Sequence, residues 1–215
     1  MNPSGVAIAA GEPRCFELFT TIEAKFKASK IDNDKWYLTV LSAITTTPKA
    51  HFCAQLYLYL ISQRAYATND ARRKLVQRMR EALFKDIGLL GLPRPSESLI
   101  ELTKVVSEED SEYFNIRKGW QCDDKNHDRG MEWLRTIYAH NITALFELFK
   151  KHRDWCFWVA DITYGLLLSD RQVLDDVDTE LTLAADDLLT YSRNKAIWNI
   201  QRRSANGHGL CTFGG

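Results

Sequence analysis

Four side chains that can hold or transfer a proton lie within apolar stretches of this chain. His140 occurs in TIYAHNITALF, Asp161 and Tyr164 occur in FWVADITYGLLL, and Glu180 occurs in DTELTLAAD. An unpaired carboxylate among apolar side chains is strongly unfavourable, so Asp161 needs a partner. A pair between His140 and Asp161 across two neighbouring helices would satisfy both groups. Such a pair, or Glu180 with a pKa raised by burial, could act as a general acid or base.

A purely structural role for these groups is the competing interpretation. A single buried His or Asp is more often a hydrogen-bonded core residue than a catalytic one. Glu180 would then close an ion pair, for instance with Arg171 or Arg203. Gly165, beside Tyr164, favours close helix packing over room for a ligand.

The overall charge excludes two classes of partner. The 215 residues include 28 basic and 28 acidic side chains, which gives a net charge of zero, and 45% of the residues are hydrophobic. No global field would attract nucleic acid or an anionic membrane. We expect a globular protein whose partners are a small-molecule substrate and further copies of itself.

The cysteines point to a reducing compartment. The five cysteines are far apart and form no Cys-x-x-Cys or Cys/His pattern, so neither a metal site nor a disulfide framework is expected. The N-terminal residues show no secretory signal. The richest apolar stretch, Cys156 to Leu168, contains Asp161 and is shorter than the roughly 20 residues that span a bilayer. These features predict a cytoplasmic protein.

The periodicity of apolar residues predicts an all-α fold. Leu75, Met79, Leu83 and Ile87 recur at every fourth position, and alternating strand patterns are almost absent. The two halves 36–61 and 178–205 share a helix–turn–helix layout, which suggests two related helical halves packed as one domain.

Three local predictions bear on the site. Residues 154–168 should form a central helix, with Trp155, Phe157 and Trp158 in the core. The charged segment RKGWQCDDKNHDRG should be a loop anchored by Trp120. Asp175 and Asp176 should cap the helix that carries Glu180.

Several strings resemble the fungal branch of the alkyl hydroperoxidase D and carboxymuconolactone decarboxylase-like superfamily. These are RRKLVQRMREALFKDIGLLGLPRP, RGMEWLRTIYAHN, DITYGLLLSDRQVLDDVDTEL and IWNIQRRSANG. The resemblance implies an AhpD-like helical domain over residues 33–207, after an N-terminal extension and first helix (1–32) and before a flexible tail (208–215). It also implies assembly into homo-oligomers and chemistry without a metal or an organic cofactor.

The same resemblance implies that the family's thiol chemistry is gone. The family frame is Glu-x11-Cys-x2-Cys-x3-His, and this chain keeps only Glu180, with Ser192, Lys195 and Asn199 in place of the two cysteines and the histidine. A serine hydroxyl is a far poorer nucleophile than a thiolate, and an asparagine amide donates and accepts hydrogen bonds but does not shuttle a proton near neutral pH. The resemblance therefore implies that these positions bind a substrate together with two aromatic residues, so the predicted binding residues are Ser192, Lys195, Asn199, Trp198 and Tyr138. A thiol peroxidase would need Cys53 or Cys156 instead. We therefore expect a lyase, isomerase or cyclase acting on a small biosynthetic intermediate. A non-catalytic scaffold or ligand-binding relative is the alternative.

Overall fold

A computed structural model describes residues 11–29, 35–111 and 115–190 of this chain. Every regular element in these ranges is helical, which confirms the predicted all-α class. The predicted binding residues Ser192, Lys195, Trp198 and Asn199 lie outside the described residues.

Nine α-helices, one π-helix and two short 3-10 turns make up the described part of the chain. In order they are α1 (Pro13–Lys27), α2 (Trp36–Thr45), α3 (His51–Ile61), a 3-10 turn (Arg64–Tyr66), α4 (Asn69–Leu90), α5 (Pro93–Thr103), α6 (Asp124–Tyr138), a 3-10 turn (Ala139–Asn141), α7 (Ile142–Leu148), α8 (Arg153–Phe157), the π-helix (Trp158–Leu168) and α9 (Asp176–Thr190).

The main core lies among the first five helices. The fourfold apolar period of α4 buries Leu75, Met79 and Leu83 in the core, where α4 packs against α2 and α5. Helix α4 starts after Thr68, whose hydroxyl accepts a hydrogen bond from Ala71 N at 3.3 Å, and it ends at Gly91, where φ is +70°. This long helix is the support on which both α9 and the π-helix rest.

A second packing centre forms where α6 crosses the π-helix. A Cβ at Gly130 would collide with the carbonyl oxygen of Ala160. A Cβ at Gly165 would lie 2.5 Å from Nδ2 of Asn126. Both glycines therefore allow close approach of the two helices, and the packing role predicted for Gly165 is confirmed.

The cap predicted at the start of α9 is also present. Asp175 accepts a hydrogen bond from Asp178 N at 2.7 Å and pairs with Lys35 Nζ at 2.8 Å. The carboxylate satisfies a free N–H at the positive end of the helix. This contact fixes the N-terminal end of α9 beside α2.

The predicted central helix at 154–168 is central only in its second half. Helices α7 and α8 contain no buried residue. Trp155 is 54% exposed, Phe157 47% and Trp158 58%, so their predicted place in the core is wrong. Burial begins at Ala160 and continues through Asp161, Gly165 and Leu168. We call residues 142–158 the arm, because they pack mainly on α6, the adjoining turn and the π-helix.

Within the described ranges, no helix combines the length and the apolar character needed to cross a membrane.

Candidate active site

Asp161 is buried, as predicted, and its partner is His127. Oδ1 of Asp161 lies 3.0 Å from Nδ1 of His127, which joins the π-helix to α6. The Asp161 side chain is 12% exposed, whereas that of His127 is 50% exposed. The carboxylate is thus held inside the protein while the imidazole can be reached from solvent.

The predicted pairing of Asp161 with His140 is wrong. His140 lies exposed in the 3-10 turn that follows α6. A helix rises 1.5 Å per residue, so His140 lies roughly 20 Å from His127 along the axis of α6. The turn begins at Ala139, where φ is +47°, and this break directs the chain into the arm.

His127 was missed because its segment was predicted to be a loop. Helix α6 begins at Asp124, so the second half of RKGWQCDDKNHDRG is helical. Asp123 is the N-cap and accepts a hydrogen bond from Asn126 N at 3.0 Å. An Asp three residues before Asn126 is the sequence signal that could have placed this helix start and, with it, His127 on the first turn.

Asn126 locks the helix pair beside the His127–Asp161 pair. Its Nδ2 donates to the backbone oxygen of Asp161 at 2.8 Å, and its Oδ1 accepts from Arg129 Nη2 at 3.2 Å. The Arg129 guanidinium stacks over Trp120 at 4.3 Å from the ring centroid. These contacts hold the π-helix against α6 at the level of Asp161.

Cys122 lies next to this group, but its environment does not activate the thiol. Its Sγ is 3.8 Å from Nδ2 of Asn126. Desolvation raises the pKa of the Cys122 thiol, and the negative charges of Asp161 and Asp123 raise it further. The thiol is therefore protonated at neutral pH and is a weak nucleophile.

Three of the predicted site residues, Tyr138 on α6, Tyr164 on the π-helix and Glu180 on α9, form a second polar group. The rings of Tyr138 and Tyr164 meet edge to face, with centroids 6.5 Å apart. Burial raises the pKa of Tyr164, and Tyr138, Glu180 and Asp187 raise it further. The Tyr164 phenol thus stays protonated, and its hydrogen bond is to Tyr138. Asp187, two turns after Glu180 on α9, was not predicted.

Arg171, one of the cations proposed as a partner of Glu180, binds other carboxylates. It pairs with Asp176 at 2.6 Å and with Glu132 at 3.5 Å, and it lies over the ring of Trp133. The other proposed partner, Arg203, lies outside the described residues. The choice between a catalytic and a structural Glu180 stays a prediction.

A pair of carboxyl groups lies between α4 and α9. Asp86 and Asp186 are both fully buried, and Asp86 accepts hydrogen bonds from Ser42 Oγ at 3.0 and 3.2 Å. Burial raises the pKa of both carboxyl groups, and the charge of Asp86 raises that of Asp186 further. A protonated Asp186 donating to an ionised Asp86 satisfies the pair with one proton. Because solvent reaches neither group, we assign the pair a structural role.

Lys85, the residue before Asp86 on α4, binds the C-terminal end of the π-helix. Lys85 is fully buried, and its Nζ donates to the backbone oxygens of Leu168 and Asp170 at 2.9 and 2.7 Å and to Thr179 Oγ1 at 2.8 Å. Burial lowers the pKa of Lys85 to about 8. The ammonium thereby satisfies carbonyl groups at the C-terminal end of the π-helix, where the helix dipole favours a cation.

Arg117 completes this cap. Its Nε donates to Leu166 O at 2.9 Å and its Nη2 donates to Leu167 O at 2.7 Å. The same guanidinium forms a two-point pair with Glu81 of α4, at 2.6 and 2.9 Å. The end of the helix that carries Asp161 is therefore fixed to α4 by two cations.

No arrangement for a metal is present in the described ranges. No group of three or more His, Cys, Asp or Glu side chains there is placed to hold an ion. The candidate chemistry of the described residues is proton transfer by His127 and hydrogen bonding by Tyr164.

Comparison of the chain with protein-family models, with curated proteins and with solved structures finds no match in any of the three. The resemblance to the alkyl hydroperoxidase D superfamily rests on the quoted strings and stays a prediction.

Proposed function

We propose that this chain is a cofactor-independent enzyme that acts on a small biosynthetic intermediate by acid–base chemistry. His127 is the base, and Asp161 is the residue that positions it. The observation that supports this proposal is the 3.0 Å pairing of a buried carboxylate with a half-exposed imidazole. A base whose orientation is fixed by a neighbouring side chain is found in acid–base and nucleophilic sites on unrelated folds.

The geometry assigns a task to each atom. An imidazole that donates its Nδ1 hydrogen to Asp161 presents the lone pair of Nε2 to a substrate. The base takes a proton from a carbon beside an electron-withdrawing group, and the carboxylate stabilises the resulting imidazolium. Return of that proton to another atom of the substrate is an isomerisation, and loss of a leaving group is a lyase reaction. Neither route requires a cofactor.

The second polar group supplies a different capability. Tyr164, held protonated by burial and by nearby negative charge, can exchange its hydrogen bond with Tyr138 for one to a developing oxyanion. Its neighbours Tyr138 and Glu180 extend the polar surface on that side of the α6 crossing. In this proposal they bind or protonate a substrate, as do the predicted binding residues that follow Glu180.

A thiol peroxidase has less support. Burial raises the pKa of Cys53 to about 11, and its exposure is zero. Cys53 is therefore a thiol at neutral pH, where a peroxidase requires a thiolate. A non-catalytic scaffold is the second candidate function, and the exposed aromatic arm is the observation that favours it.

The proposal is tested with a substrate that reports only on a base. Ring opening of 5-nitrobenzisoxazole begins when a base removes one carbon-bound proton, and the N–O bond then breaks to give a coloured phenolate. The wild-type chain is compared with His127→Gln and Asp161→Asn. His140→Gln is the matched control, because His140 is also exposed but has no place in the proposal.

A positioned base contributes about 10²- to 10⁴-fold to a proton transfer. We expect the rate in excess of the buffer background to fall at least about tenfold in His127→Gln. The expected fall is smaller than the full contribution of a positioned base because the site is exposed. Asp161→Asn should lose part of the rate, and His140→Gln none. Equal rates in the wild type and His127→Gln would refute the assignment. Circular dichroism of each variant separates a lost base from a lost fold.

A further inference from the structure

The arm presents the most unusual surface among the described residues. Four large apolar side chains stand in solvent there: Leu148 at 77% exposure, with Trp155, Phe157 and Trp158 at about half. A groove with a volume of about 770 Å³ lies beside them, lined by Phe149, Trp155 and Trp158 and by the polar residues 150–154. Neighbouring apolar side chains exposed to this degree mark an interaction surface.

The arm has little packing of its own to hold it. Neither α7 nor α8 buries a residue, and α8 is only five residues long. Isolated helices shorter than about 12 residues are marginal in water, so tertiary or intermolecular packing must supply their stability. The aromatic contact inside the arm, between Phe149 and Trp155 at 5.8 Å, leaves the outer faces of the rings uncovered.

We infer that a second copy of this chain covers the arm, in a two-fold symmetric contact between the two arms. Such an interface needs a surface that complements itself. The arm has a groove and, next to it, protruding Leu148 and Phe157 side chains that can fill the groove of a partner.

The charges of the arm complement themselves in the same way. The three bases Lys150, Lys151 and Arg153 lie between the two acids Glu147 and Asp154, and Lys150 pairs with Glu147 at 3.1 Å within the arm. Two copies related by a two-fold axis can place Asp154 of one arm against the bases of the other. An anionic membrane or a nucleic acid would instead select an excess of basic residues, and the two acids offset most of the charge of the three bases.

The size of the patch fits a dimer. Aromatic side chains bury about 150–250 Å² each, so the exposed parts of three rings and a leucine amount to apolar surface on the order of 400 Å². A standard interface buries about 800 Å² on each partner. The apolar patch would form the centre of such an interface, and the charged side chains around it would form the rim.

The test is sedimentation equilibrium of the full chain over a range of protein concentrations. The wild type is compared with Trp155→Lys and Trp158→Lys. Ile100→Lys is the matched control, because Ile100 is 58% exposed on α5, away from the arm. Vesicles containing phosphatidylserine are offered to the wild type in a separate sedimentation assay.

We expect a wild-type dimer whose dissociation constant rises at least about 30-fold in each arm variant, as for interface residues at the centre of a contact. Ile100→Lys should match the wild type. A wild-type monomer at all concentrations would overturn the inference, and so would arm variants that dimerise as tightly as the wild type. Vesicle binding that is lost in the arm variants would assign the arm to a membrane surface instead and would also overturn it.

Discussion

The two ends of residues 153–168 share one apolar composition but lie in different environments. At the C-terminal end, Lys85 and Arg117 bind the last carbonyl groups, and Leu168 is buried against α4. At the N-terminal end, Trp155 and Trp158 are more than half exposed. The difference shows that hydrophobic character alone does not decide which part of a helix enters the core. Partners for the polar backbone groups at the helix end decide it as well.

Asp161 lies where this stretch passes from exposed to buried. Its carboxylate is enclosed by α6, whereas its partner His127 remains half exposed. A fully buried pair could not meet a substrate, and a fully exposed pair would not be held in one orientation. The boundary between the two environments is therefore the place where a positioned base can form.

The largest expected effect on the free energy of unfolding is at the C-terminal end of the π-helix, where Lys85 binds. Lys85→Met removes three hydrogen bonds and leaves buried acceptors on Leu168, Asp170 and Thr179 without their donor. We expect a loss of about 3–5 kcal/mol in the free energy of unfolding, measured by urea denaturation. Lys74→Met, at an exposed position of the same helix, should change it by less than about 0.5 kcal/mol. A small effect of Lys85→Met would mean that the cap does not hold the buried end.

The next effect is at the helix crossing. Gly130→Ala drives a methyl group into the backbone oxygen of Ala160, which cannot move without shifting the π-helix. We expect a loss of about 2–3 kcal/mol in unfolding free energy. Gly88→Ala on α4 is the control, since its Cβ would meet only the side-chain atoms Thr163 Cγ2 at 3.3 Å and Leu168 Cδ2 at 3.8 Å. If both variants lost the same amount, close packing would not be the reason for Gly130.

A pH-dependent effect is expected from the buried pair Asp86 and Asp186. Their folded-state pKa values are raised above the unfolded value of about 3.9, so the folded state holds more protons. The contribution of the pair to stability is therefore complete below about pH 4 and is lost as the pH rises towards the folded-state values.

Asp186→Asn supplies a permanent donor to Asp86 and removes one ionisation. We expect the variant to exceed the wild type by about 1–2 kcal/mol at pH 8, with a difference that shrinks towards pH 4. Urea denaturation across this pH range measures it. Asp70→Asn, an exposed control on α4, should reproduce the wild-type dependence. A variant with the wild-type slope would show that the two carboxyl groups do not share a proton.

The smallest effect is expected at the exposed end. Trp155→Ser removes an indole that is 54% exposed. We expect the unfolding free energy of the isolated chain to change by less than about 1 kcal/mol, as for a surface substitution. Thermal melting at the lowest workable protein concentration measures it. A loss comparable to that of Lys85→Met would mean that the arm belongs to the core of the single chain.

The sequence predicted the parts of this molecule that follow from local pattern. The fourfold period of α4 and the Asp175 cap of α9 are properties of adjacent residues, and both are present. Burial of Asp161 was also predictable, because its neighbours are apolar. Its partner was not, because a contact across 34 positions depends on how α6 crosses the π-helix. His140 was predicted from its apolar sequence context, and that context lies in an exposed turn.

The burial predicted for the aromatic residues of the arm was wrong. Trp155, Phe157 and Trp158 were predicted to be core residues because large apolar side chains usually are. The rule is statistical, and it fails for these three side chains. An exposed apolar surface has the same composition as a core, so composition cannot distinguish the two.

The most direct test of the central claim is the tautomer that the neutral form of the His127 imidazole adopts, measured by two-bond ¹⁵N–¹H correlation NMR. The proposal predicts that the neutral form carries its hydrogen on Nδ1 and a free lone pair on Nε2, and that Asp161→Asn gives a mixture of tautomers. A hydrogen on Nε2 in the wild type, or no change after Asp161→Asn, would contradict the claim that Asp161 positions a base.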